Sequence, residues 1–211
     1  TYSTVADAGG FSYQQGGHAF YVITLPTEYK TWGYDLATGL WHRRALRDAQ
    51  NDFHRDRANC ACFFAGFNLV GDHENGIIYE ASLTTFRDYE DASGGAGNVI
   101  PRVRRCRHLT EDLRYVYHHE LQIQFQPGVG LSTGLGSDPQ AMLEVSDDGG
   151  RTWGSVQYWS AMGAQGAYKT WVRWMQLGRT ERGGTRVYRT TISDPVKRTI
   201  IGAHADMKSG M

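Results

Sequence analysis

Tyr115-Val-Tyr-His-His-Glu-Leu-Gln-Ile-Gln-Phe-Gln126 is the stretch from which the fold is read. Tyr115, Tyr117, His119, Leu121, Ile123 and Phe125 alternate with Val116, His118, Glu120, Gln122, Gln124 and Gln126. Successive strand side chains point to opposite faces, so this period of two predicts one long strand, buried on one face and wet on the other. The same reading extends outward. Strands are predicted at residues 19–25, 31–34, 40–42, 60–65, 68–71, 77–81, 141–145, 155–160, 169–177 and 185–193. Few windows place apolar residues at the helical spacing i, i+3, i+4, i+7. Turn chemistry separates the strands. Asp35-Leu-Ala-Thr-Gly39 can cap its own backbone and supply a positive φ, and Asn75-Gly76 suits a tight hairpin. Residues 43–57 read as a polar loop in which 45–50 could make a helical turn, and Ser93–Gly97 as a flexible one.

Strands divided by turns every 8 to 12 residues predict an all-β sandwich, barrel or propeller, and a weak repeat favours a β-propeller-like fold with four-stranded antiparallel blades. Residues 20–35 and 67–80 share a scheme of aromatic start, apolar strand, turn and a strand ending in Tyr plus an acid. Tyr34 and Tyr79 thereby fall one blade length apart. The whole chain, 1–211, is expected to be one such domain, and its start at Thr1 instead of Met suggests a processed product or a fragment of something longer.

The strongest local motif is Ser146-Asp147-Asp148-Gly149-Gly150-Arg151-Thr152-Trp153, which fits the Asp-box pattern at Ser146, Asp148, Gly150, Thr152 and Trp153. Asp148 is expected to accept backbone N–H groups across a hairpin turn, Gly150 to take a left-handed conformation and Trp153 to pack beneath the turn. The motif occurs in sialidase-type propellers, so a glycan-binding or glycan-hydrolysing protein is the alternative reading. No nucleophile, base and orienting group stand out as a catalytic set. The glycine-rich segment 128–136 lacks the Gly-Lys-Ser/Thr of a phosphate loop and reads as a connection.

The 211 residues carry 22 basic and 22 acidic side chains, and 18 of the basic ones are Arg. Arg favours planar contacts to carboxylate and phosphate. Four lie in Arg102-Val-Arg-Arg-Cys-Arg107; Arg102 and Arg104 would share one face of a strand, Arg105 and Arg107 the other. Interchain salt bridges, plain solvation and contact with DNA phosphate all remain open for them. Three cysteines are too few for a disulfide framework. Cys60, Cys62, Cys106 and His108 lack the spacing of structural zinc, so no metal and no cofactor is expected. No apolar run is long enough for a membrane-spanning helix.

An ordered series of blocks resembles a known family. Gly10-Phe-Ser-Tyr-Gln-Gln15, Gly17-His-Ala-Phe-Tyr-Val22, Thr31-Trp-Gly-Tyr-Asp35, Arg57-Ala-Asn-Cys60, Leu69-Val-Gly-Asp72, Ile78-Tyr-Glu80, the Asp-box and Val187-Tyr188 with Ile192-Ser-Asp-Pro195 are similar to the packaged-DNA stabilization proteins of short-tailed bacteriophages. The resemblance spans residues 9 to 204, nearly the whole chain, and implies that the chain is the C-terminal portion of a longer polypeptide. It implies a non-enzymatic virion protein, made in the bacterial cytoplasm and built into the phage tail. There it would form the nozzle or hub as a homohexameric ring, meet the portal or adaptor and the tail needle or plug, and retain packaged double-stranded DNA while serving as its ejection conduit. A net charge of zero suits a channel that DNA must pass without sticking. Arg102, Arg104, Arg105 and Arg107 would then face neighbouring subunits or the channel.

Overall fold

The structure, a computed structural model, describes residues 2–47, 52–88, 97–111, 113–155 and 158–210. The chain divides into two compact units, residues 1–84 and 85–211. All regular structure among the described residues is β.

The first unit begins with β1 (Gly9–Gln15), β2 (His18–Leu25), β3 (Lys30–Asp35) and β4 (Leu40–Arg44), a meander in which each strand pairs with the next. The β3–β4 turn is tied by its own side chains. Asp35 accepts the Ala37 N–H at 3.0 Å and the Thr38 hydroxyl at 2.9 Å, and Gly39 takes a φ of 69°. The short β5 (Leu46–Arg47) and β6 (Phe53–His54) pair across the segment read as a polar loop; residues 48–50, the rest of its helical turn, lie outside the described residues. A second meander follows in β7 (Ala58–Phe64), β8 (Phe67–Asp72) and β9 (Ile78–Glu80). The fully buried set here is small, led by Val22, Leu25, Thr31 and Ala58.

The second unit holds β10 (Arg87–Asp88), β11 (Asn98–Val99), β12 (Arg102–Arg105), β13 (Tyr115–Phe125), β14 (Gln140–Ser146), β15 (Tyr158–Ala161), β16 (Val172–Met175), β17 (Val187–Ile192) and β18 (Ile200–Gly210). Its two main sheets run β12-β17-β14-β15 and β16-β13-β18, and β10 pairs with β11. Leu121, Ile123 and Phe125 of β13 meet Ala141 and Leu143 of β14, Val172 and Trp174 of β16 and Tyr188 and Ile192 of β17 in one core. Inward residues of two sheets filling a common core are the physics of a β-sandwich. The Ser93–Gly97 loop falls outside the described residues except for Gly97.

Two expectations change. The four-stranded meander exists in β1 to β4, but the second unit pairs strands distant in sequence, and within neither unit do the sheets close into a ring of four-stranded blades. Nor does the 115–126 strand keep one buried face. Val116 and His118 are buried at its start, whereas Leu121, Ile123 and Phe125 are buried afterwards. The cause is a bulge. His118 pairs with Met207 and Glu120 with Asp206, leaving His119 extra, and one extra residue exchanges the two faces. Tyr117 and His119 therefore point outward instead of inward.

A candidate assembly face

The outer face of the β12-β17-β14-β15 sheet gathers the basic run and the 146–153 turn into one place. Register decides this. Arg105 of β12 stands opposite Arg189 of β17, which stands opposite Glu144 of β14. One pleat along, Val103, Thr191, Met142 and Trp159 form a second row across all four strands.

In the first row the Arg189 guanidinium grips the Glu144 carboxylate with two nitrogens, its Nε at 2.6 Å from Oε2 and its Nη2 on Oε1. The turn after β14 folds Trp153 back over this row. The Arg189 guanidinium carbon lies 4.2 Å from the centre of the indole ring and that of Arg105 5.1 Å, both within cation–π range. Trp153 is therefore half-buried against two arginines of a sheet's outer face, not sunk in the core. In the second row Val103 and Trp159 remain 40% and 58% exposed, which leaves an uncovered strip of apolar surface beside the arginines.

The turn that presents Trp153 is built around one carboxylate. Asp148 Oδ1 accepts the Ser146 hydroxyl at 2.7 Å and the Arg151 and Thr152 N–H groups at 2.8 and 2.9 Å, and Oδ2 accepts the Thr152 hydroxyl at 2.6 Å. Ser146 Oγ in turn accepts the Gly150 N–H at 2.8 Å. Donors aimed at the charged form, led by the two hydroxyls, hold the Asp148 carboxyl far below the usual carboxylate range. Gly149 and Gly150 both have positive φ, 75° and 89°, and the Gly149 N–H donates to the Thr185 carbonyl at 3.1 Å, which fastens the turn to the segment leading into β17.

Below the turn a buried arginine pairs with an exposed carboxylate, a contact for which no local motif prepared. Arg186, 4% exposed, binds Asp147 through Nε at 2.6 Å and Nη2 at 2.9 Å and donates Nη1 to the Leu177 carbonyl at 2.6 Å. Burial opposes its charge, yet Asp147 outweighs it and the guanidinium's pKa is raised. Next to it His118 is 2% exposed, its ring edge-on to Tyr188 at 5.7 Å between centres, and neither imidazole nitrogen has a hydrogen-bond partner among the described residues. Burial first, then repulsion from Arg186, push His118 down to about 4. Burial likewise drives the Tyr188 phenol up to about 12. His118 is thus a neutral core residue, and with Tyr188 and Arg186 it forms a rigid base under the turn.

Of the arginines singled out from sequence, Arg105 alone lies on this face with Trp153. Arg102 and Arg104 stand opposite Ile192 and Thr190 on the other side of β12, exposed because β12 is an edge strand, and Arg107 lies exposed beyond the strand end. Positive charge on an exposed edge also deters non-specific strand pairing. Cys60 and Cys62 belong to the first unit and Cys106 and His108 to the second, and no three metal-ligating side chains converge among the described residues.

Charge separates the two units. Residues 1–84 carry six Lys and Arg against nine Asp and Glu, residues 85–211 sixteen against thirteen. The zero total is a balance of minus three and plus three, so neutrality describes neither unit.

Comparison with known families gives one result. Residues 101–208, just over half of the chain, match the model described as bacteriophage P22 Gp10, beta-sandwich. The match falls inside the second unit and covers both sandwich sheets. No curated protein matches the chain.

Proposed function

Because this chain belongs to the bacteriophage P22 Gp10 beta-sandwich family, a family of phage structural tail proteins, we propose that it is a subunit of the tail nozzle or hub. In this reading six copies form a ring that continues the portal channel, closes the head after packaging and later passes the genome. Portal or adaptor proteins lie on one side of the ring and a tail needle or plug on the other. The family match over residues 101–208 carries the proposal.

The physical features support a structural part more than a catalyst. Asp148, the one strongly perturbed acid of the turn, spends its carboxylate on the turn's own donors. A general acid or base needs a proton it can exchange near working pH, and this group stays ionised. The glycan-hydrolysing alternative gains no support from this carboxylate. In its place the sandwich offers an exposed face rich in Trp, Met and Arg, the residue types enriched where proteins meet. The meanders of the first unit are proposed as blades of a propeller-like element.

Deletion of the gene from the parent phage tests the reading. Heads that package DNA and then lose it are expected. Infectious, DNA-retaining particles from the deletion would overturn it.

A further inference from the structure

The β7–β8 hairpin reverses at Ala65 and Gly66, with φ of 50° and 88°, and carries Phe63, Phe64 and Phe67 at its tip, 71%, 67% and 51% exposed. Residues 58–71 include no charged side chain. Beside the tip, Glu80 of β9 stands opposite Leu69, exposed and without a basic partner among the described residues. Phe64 and Phe67, paired across the turn, point to the same face as Cys62 and Glu80, whereas Phe63 points to the other. The two rings on that face hold out roughly 200–250 Å² of apolar surface, about a quarter to a third of what one partner buries in a stable interface. Such an area suits the centre of a contact whose rim is polar.

We propose that this phenylalanine tip docks on the outer face of the β12-β17-β14-β15 sheet of a neighbouring copy. The Phe64 and Phe67 rings seat on the Val103, Met142 and Trp159 row beside Trp153, and Glu80, on their face of the hairpin, faces Arg105. Charge selects this occupant. The tip belongs to a unit of net charge minus three, and the receiving face belongs to a unit of plus three whose one carboxylate in the first row, Glu144, is already held by Arg189. An anionic bilayer, the other apolar host for exposed phenylalanines, would repel an acidic unit whose hairpin has no Lys or Arg. The tip and the sheet face are different surfaces of one chain, so the contact is heterologous and passes from copy to copy around a ring. The inference rests on the assembly reading above and adds which surfaces meet.

Cys62 reports on the contact without any substitution, because it is exposed and adjacent to Phe63, while Cys106 serves as an internal reference. The chain is followed by sedimentation velocity over a concentration series, with iodoacetamide labelling of each cysteine read by mass spectrometry. Labelling of Cys62 is expected to slow as the chain associates. Phe64→Ser and Glu80→Arg are each expected to weaken association about tenfold or more, and Arg105→Glu added to Glu80→Arg to restore it. A chain that stays monomeric throughout, an associated state in which Cys62 labels at the monomer rate, or a charge exchange that restores nothing would each overturn the contact. So would protection of Cys62 in the monomer by added phosphatidylcholine vesicles. The gene deletion stands apart: leaking heads together with an unprotected Cys62 would sink this contact and leave the tail reading standing.

Discussion

The two units use antiparallel strands in opposite ways. In residues 1–84 each main strand pairs with its neighbour in sequence, few side chains are fully buried and the aromatics Tyr21, Trp41, Phe63, Phe64 and Phe67 face outward. In residues 85–211 most pairings of the sandwich sheets are long-range, such as Arg105 with Arg189, although β14 pairs with the following β15, and the two sheets fill one core. Local meanders form readily with little fully buried core, whereas the sandwich fills a core of its own and still leaves side chains such as Val103, Trp159 and Trp171 in water. Most of the fully buried apolar side chains therefore belong to the second unit, which is expected to be the more stable of the two.

The sharpest way to break that contrast is in the sandwich core. Leu143, fully buried, is expected to cost about 3–5 kcal/mol as Leu143→Ala, read as lost hydrogen-exchange protection in β13, β14 and β17. Protection in β1 to β4 should hold, and equal losses in both units would show a single cooperative block.

Acid should separate the units next. His118 has its folded pKa lowered to about 4 from 6.5, so the neutral form is the one folding favours. The stability it contributes is complete above the unfolded pKa near 6.5 and is lost as pH falls toward 4, about 3 kcal/mol across the window. The lowered carboxylates of the first unit, Asp35 and Asp72, contribute above their unfolded pKa near 3.9 and lose it only as pH falls further. Hydrogen exchange at pH 7 and pH 5 is expected to loosen the second unit first, and His118→Gln to flatten that difference.

Asp147→Asn leaves Arg186 buried with a weakened partner, for an expected loss of about 1–3 kcal/mol in denaturant unfolding. Trp153→Ala, on the outer face between two arginines, is expected to cost about 1–2 kcal/mol, less than a core aromatic. A loss near 4 would mean that the ring serves as core after all. Phe64→Ala is the smallest, within about 0.5 kcal/mol in the dilute monomer, since the ring is already in water.

Much of the β content was legible because alternation and turn residues are local signals. The β3–β4 hairpin follows from Asp35, Thr38 and Gly39, and the carboxylate-centred turn from Ser146 to Thr152. Other elements left no such trace. Strand β18, an edge strand exposed along most of its length, shows no apolar alternation in Ile-Ile-Gly-Ala-His-Ala-Asp-Met-Lys-Ser-Gly. The bulge at His119 is set by its pairing with β18, which the residues of β13 do not encode by themselves.

The candidate face was legible as two unrelated motifs, a basic run and a turn. Their meeting was not, because Arg105, Arg189 and Glu144 become neighbours only when β17 enters between β12 and β14.

By itself the sequence determined that the chain is all-β, where its tight turns fall and which carboxylate centres the 146–153 turn, because these depend on residues within a few positions of each other. Only the tertiary structure decided that residues 101–208 fold as a sandwich, that Trp153 rests on arginines, that His118 is buried and that a neutral chain is two oppositely charged units. Those outcomes depend on which distant strands pair and which side chains lose water together, and neither is a property of any local stretch.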